Sequence, residues 1–207
     1  MDEVMSTRER ILNCALKLFA QRGFGEVSVR EIARDVGVRE SALYKHFKNK
    51  QDIFNSILDG MTRRYNETVQ KIGMPDGNMT EVVNRYAKMP EDFLVRISKE
   101  LFLFFLKDEY AVLYRRMLTI GQYSNTMARE AFSDKFLGEA FEFQRELFQR
   151  MIEIKKFVPC DSRVMALQFY GPIYWMLCKY DDQPEAWPDA LILLEKHVRQ
   201  FAKMYSI

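Results

Sequence analysis

Cysteine is sparse in this chain: Cys14, Cys160 and Cys178 are the only three in 207 residues, an odd set with no close pair. That excludes a disulfide framework and points to reduced thiols, most simply small hydrophobes, in a cytoplasmic setting. Histidine is scarcer still, with His46 and His197 far apart in the chain. H-E-x-x-H, G-x-G-x-x-G, P-loop, G-x-S-x-G and C-x-x-C patterns are all missing, so the usual carriers of metal, nucleotide and acyl-transfer chemistry are not there. Glu142 and Glu146 share a helix face in EFQRE (142–146), but without the Glu-x-x-His repeat of carboxylate-metal bundles they read as a solvated face. Long apolar runs are lacking too. None exceeds six residues, as in LFLFFL (101–106), against the ~20 of a membrane span. The opening MDEVMSTRER is polar and carries no signal-peptide core. A cytoplasmic protein with no membrane partner, no cofactor and no metal is expected, and an enzyme is the disfavoured class.

What is present is ample material for a core: 48% of residues are hydrophobic, while net charge is only +2. The charge is unevenly placed. Residues 1–50 carry ten Lys/Arg against seven Asp/Glu, so a mildly basic head precedes a nearly neutral body. Periodicity near 3.6 residues dominates and sustained alternation is missing, which predicts an all-α protein.

Ser6 is placed to cap a helix over 7–22 that Gly23 ends. Ser28-Val29-Arg30-Glu31 is a capping box, followed by Val29, Ile32, Ala33 and Val36 at helical spacing and closed by Gly37. A third short helix fits 39–46, and Asn49 then caps a long helix over 50–72. Two short helices joined by a tight glycine turn form a helix-turn-helix, whose second helix enters the DNA major groove. At 100° per residue Leu43 and Phe47 point inward, so Ser41 and Lys45 point outward, flanked by Ala42 and Tyr44. Small residues with one Lys and one Tyr suit a groove, and an ordinary wet helix face is the blander alternative.

SVREIARDVGVRESALYKHFKNKQDIF (28–54), preceded by ALKLFAQRGF, resembles the DNA-binding signature of the tetracycline-repressor (TetR) family of bacterial transcriptional regulators. The resemblance covers about 50 residues; the remainder agrees only in length and helical character. It implies DNA contacts from Ser28 and Arg30, from Arg39, Glu40, Ser41, Ala42, Tyr44, Lys45 and His46 on the recognition helix, and from Lys50. Arg39 departs from the Ser or Thr frequent at that capping position. It further implies a helix-turn-helix domain (1–49), an effector-binding and dimerisation domain (50–207), and repression of an operator relieved by a small hydrophobic effector. A DNA-binding protein of the same fold without an effector is the alternative from a different class; an enzyme is a more distant one.

In the body, helices fit roughly 80–89, 91–107, 109–122, 125–132, 134–156, 161–180 and 186–205, with breaks that include Ser133. Residues 51–207 hold 24 of 28 aromatics and ten of twelve methionines. Most of these are expected simply to fill the core. Those lying where the family holds its inducer are Tyr86, Phe93, Phe102, Phe105, Tyr110, Tyr114, Met117 and Tyr123. Arg96 and Arg115 are candidates to orient a polar end of the effector, though surface exposure or an ion pair is the plainer expectation for both. From Val164 to Cys178 every residue but Gln168 is apolar, Gly or Pro, so this helix needs cover on all sides. A homodimer is therefore expected through 161–181 and 186–205, with Tyr174, Leu177, Leu191, Leu194, Val198 and Phe201 at the interface.

Overall fold

The computed structural model describes residues 5–207; residues 1–4 of the polar N-terminal stretch lie outside the described residues. Among the described residues eleven α-helices follow one another: α1 (Thr7–Arg22), α2 (Val29–Val36), α3 (Glu40–Leu43), α4 (Lys50–Ile72), α5 (Met79–Tyr86), α6 (Glu91–Lys107), α7 (Glu109–Gly121), α8 (Thr126–Ala131), α9 (Glu139–Glu153), α10 (Ser162–Lys179) and α11 (Trp187–Tyr205). Among the described residues there is no β-strand, only an isolated bridge between Phe157 and Ser206. The fold is all-α.

Local chemistry explains most boundaries. Ser6 with Glu9 and Ser28 with Glu31 form complete capping boxes at α1 and α2. Asn78, Asn125 and Asp161 cap α5, α8 and α10 through their side chains. Gly37 sits in the left-handed region (φ 78°, ψ 33°), with its N–H bonded to Arg34 O and that of Val38 to Ala33 O. This is the paired bonding of a Schellman turn, available to Gly without a Cβ penalty. Two expectations need revision. The third helix is shorter than 39–46: Arg39 supplies no side-chain cap, and after Leu43 the bonds tighten to i→i+3 at Lys45 and His46. Ser133 does not break the chain, because Phe132–Gly138 continue as a π-helical stretch with Phe132 and Phe136 both buried.

The helices gather into two compact units. One comprises the residues up to Tyr65 together with Glu109–Phe136. This differs from a division at 49/50, since the first part of α4 and all of α7 and α8 join the N-terminal helices. The reason is burial: three short helices have too little apolar surface to close a core alone. Here α7 packs along α1, Ala111 and Leu118 are fully buried, and Tyr110 Oη donates to Ile57 O of α4 at 2.9 Å. Phe24 packs its ring against Phe19 and Phe54, with centroids 5.3 and 5.2 Å away.

The second unit, Asn66–Asp108 with Leu137–Ile207, has two clusters. In one, α6, α10 and α11 enclose Val95, Phe102, Leu106, Met176, Leu177, Ala190, Leu194 and Val198. In the other, Phe148, Phe169 and Phe201 stack among Val82, Val83, Met151 and Met165. Arg199 binds Glu91, Asp92 and Glu195, pinning α11 to α6. Helix α10 runs through Pro172 without interruption, although proline removes the bond to Gln168 O. Beside it His197 Nε2 lies 2.8 Å from Phe169 O; a carbonyl only accepts, so Nε2 carries the proton. His197 thus has a structural use.

Candidate nucleic-acid interface

The α2–α3 pair presents its polar residues outward on a buried foundation. Ile32, Ala33, Leu43 and Phe47 are buried, whereas Ser28, Arg30, Arg39, Glu40, Ser41, Tyr44, Lys45 and His46 are exposed and Ala42 is half-buried. This brings the candidate residues of the α2 start and of α3 onto the outer side of one short motif. With its ring half-exposed, Tyr44 can stack or donate a hydrogen bond.

Two members of the candidate set are engaged by the fold itself. The backbone N–H of Ser28 and its hydroxyl both donate to Glu31 Oε2 at 2.8 Å, and Glu31 N donates back to Ser28 Oγ. Those bonds, with the Arg22 guanidinium 3.0 Å away, hold the Glu31 carboxyl down at about 2. A carboxylate therefore already occupies the α2 N-terminus, where a helix otherwise favours phosphate. Lys50 is half-buried: its Nζ donates to Phe24 O and Val27 O, both at 2.8 Å, and lies 4.3 Å from the Phe24 ring centre. It does not stand out from the surface as a phosphate-seeking lysine would.

The aromatic set expected around an effector is dispersed. Tyr110, Tyr114 and Met117 are buried in the first unit, and the Tyr110 hydroxyl is already bonded to Ile57 O. Phe102 is buried in the second unit, where Phe105 packs partly buried against the same cluster and Tyr86 against the other. Tyr123 is 88% exposed and follows the end of α7 in a turn. Phe93 lines an open cleft of about 410 Å³ with Gly73, Asn84, Arg85, Lys88, Met89 and Pro90. Arg96 is ion-paired with Glu100 and stacked on Phe93, as the plain expectation has it. Arg115 is not exposed at all: it is 4% accessible.

The residues expected at a dimer interface differ in their exposure. Leu177, Leu194, Val198 and Phe201 are buried within the chain's own clusters and have no surface to offer a partner. Tyr174 and Leu191 are half-buried. The exposed large apolar residues on these helices are instead Val164, Leu167 (62%) and Trp175 (56%) of α10 with Ile192 (53%), Leu193 and Met204 of α11. Helix α10 is apolar on every side, so periodicity in the sequence had no means of choosing between its faces. Burial pushes the Cys14 thiol up, and among the described residues no three His, Cys, Asp or Glu converge as metal ligands. No described helix is long and apolar enough to cross a membrane.

Residues 11–57 match the family model for bacterial regulatory proteins of the tetR family. The HTH-type transcriptional regulator AcrR of Shigella flexneri is 33% identical over 117 residues, 56% of this chain but only 47% of that regulator's own length. The nucleoid occlusion factor SlmA of Aliivibrio fischeri is 23% identical over 176 residues, 84% of this chain and 83% of that factor. Among solved structures, the SmeT–triclosan complex superposes with a TM-score of 0.71 over 98% of this chain and 93% of the other, at 18% identity; SmeT is the repressor of the multidrug efflux pump SmeDEF of Stenotrophomonas maltophilia. By name these relatives are a transcriptional regulator, a nucleoid occlusion factor and a repressor, and the fold agrees over nearly the whole chain. The capped α2, the outward residues that follow it and the family's sequence pattern coincide over one stretch, so residues 11–57 carry the pattern of the tetR family of bacterial regulatory proteins.

Proposed function

We propose that the protein is a cytoplasmic transcriptional repressor that binds operator DNA as a homodimer and leaves it when a small hydrophobic effector binds. One observation carries the DNA part: Ser41 on α3 and Tyr44, Lys45 and His46 in the turn that follows it are exposed, while Leu43 and Phe47 anchor this stretch in the core. Such a stretch can enter a major groove without disturbing its own support. Two copies about one DNA turn apart require a two-fold dimer, and the exposed apolar strip of Leu167, Trp175, Ile192 and Leu193 supports one through α10 and α11. The effector part draws on SmeT, whose structure holds triclosan. It draws also on Tyr86, Phe93 and Phe105, the half-buried members of the aromatic set. Binding would shift the population toward a dimer whose recognition helices are wrongly spaced. No catalytic role is proposed.

The likeness to a nucleoid occlusion factor over 84% of the chain favours a second reading, DNA binding without an effector. Selection of duplexes from a random library, followed by footprinting, tests the DNA reading; failure to enrich any sequence refutes it. Thermal shifts against a panel of hydrophobic compounds separate the two readings. An effector raises the melting temperature by mass action and lowers DNA affinity, while uniform silence across the panel favours the second.

A further inference from the structure

We infer that Lys50 is a positioning residue that fastens the α1–α2 corner to the start of α4, and is not a phosphate contact. The inference rests on the DNA-binding function proposed above. The corner runs from Gly23 to Val27 between two helices, and no backbone N–H reaches the carbonyls of Phe24 and Val27. A buried carbonyl needs a partner, and one ammonium supplies both, at 2.8 Å each. The same ammonium lies over the Phe24 ring, which is itself wedged between Phe19 and Phe54. Two carbonyls and one ring thereby set its position, and two of its three protons are spent inside the protein. Burial lowers the Lys50 pKa, while Glu26 and Glu31 oppose that shift.

The consequence lies one residue further on. Val27 precedes Ser28, the cap of α2, and the Schellman turn at Gly37 passes the orientation of α2 on to α3. Two charge-assisted bonds from the first residue of α4 therefore help decide where the groove-facing residues stand. Loss of the bonds leaves the apolar core in place but lets the corner wander. If the docking orientation falls to about a tenth of the population, apparent DNA affinity falls about tenfold. Because no phosphate contact is lost, the salt dependence stays as it was.

The test uses the full chain and a duplex that it enriches from a random library. Lys50→Met keeps the stem over Phe24 and removes the donors; Lys45→Ala is the comparison. The expected result is about tenfold weaker binding by Lys50→Met with an unchanged slope of log affinity against log salt, whereas Lys45→Ala lowers that slope by roughly one. A slope lowered equally by Lys50→Met overturns the inference. Reductive methylation of the parent protein, with and without duplex, stands even if that variant does not fold. Lys50 should resist methylation in the free protein, and Lys45 should become protected only on DNA. Free-state labelling of Lys50 that DNA then blocks overturns the inference alone. Failure to enrich any duplex overturns the DNA-binding function and this inference with it.

Discussion

Gly60 lies inside α4, where Ala would ordinarily be the more stable residue by about 1 kcal/mol. Here Ala should be worse. A Cβ at position 60 would fall within van der Waals contact of Tyr110 Oη and only 3.0 Å from Tyr110 Cζ. Tyr110 is buried, and its hydroxyl donates to Ile57 O at 2.9 Å, so the ring has little room to retreat without losing that bond. Overpacking costs about 1–3 kcal/mol and a lost buried hydrogen bond about another 1, against the propensity gain of about 1. Gly60→Ala should therefore destabilise by about 1–3 kcal/mol. In a Tyr110→Phe background the colliding oxygen is gone and only the 3.0 Å ring contact remains, which a shift of a few tenths of an ångström relieves. There the same substitution should be close to neutral, giving a coupling of about 1–3 kcal/mol between the two sites. Urea unfolding of the four proteins of the cycle, at one protein concentration, measures it. A stabilising Gly60→Ala, or a penalty unchanged by Tyr110→Phe, refutes the reasoning.

Further outcomes follow from the same geometry. Ser28→Ala should cost about 1 kcal/mol, since it removes the hydroxyl of a complete capping box, and a calorimetric melt that matches the parent contradicts this. Glu31, held down at about 2, binds its proton more weakly folded than unfolded. Its contribution is therefore present above its ordinary value of 4.5 and fades as pH falls toward 2; Glu31→Gln should flatten that acid limb of stability. Tyr110, pushed up to about 12 chiefly by burial, gives the opposite sign: its contribution is present below 10 and is lost as pH rises toward 12, which absorbance at alkaline pH follows. Ile192→Asp, at an exposed position, should leave each chain folded and dissociate the proposed dimer in light scattering. Leu194→Asp, at a fully buried position, should unfold the chain itself; the reverse pattern would restore Leu194 to the interface.

The N-terminal signature was legible because each of its parts is local. Ser28 and Glu31 are three residues apart, Gly37 closes the same helix, and Leu43 and Phe47 are one turn apart, so short-range spacing decides which side faces in. Most helical starts and stops of the body, the expected break at Ser133 excepted, were legible for the same reason: caps and proline act on the nearest turn. Burial does not work that way. The sequence marks α10 as apolar on all sides, and only packing against α6, α9 and α11 determines that Met176 and Leu177 go inside while Leu167 and Trp175 stay out.

By itself, then, the sequence determined an all-helical chain, the capped α2 with the outward Ser41 and Lys45 that follow it, and the resemblance of that stretch to the tetR family. Tertiary structure decided the rest. It took α7, far along the chain, to cover α1, so that Tyr110 became a core residue bonded to Ile57 and not a free effector contact. It carried the Lys50 ammonium back to carbonyls more than twenty positions away. It buried Leu194 and Val198 and left Ile192 at the surface. Each of these depends on which distant surfaces meet, and a hydrophobic pattern reports only that a surface must be covered, never by what.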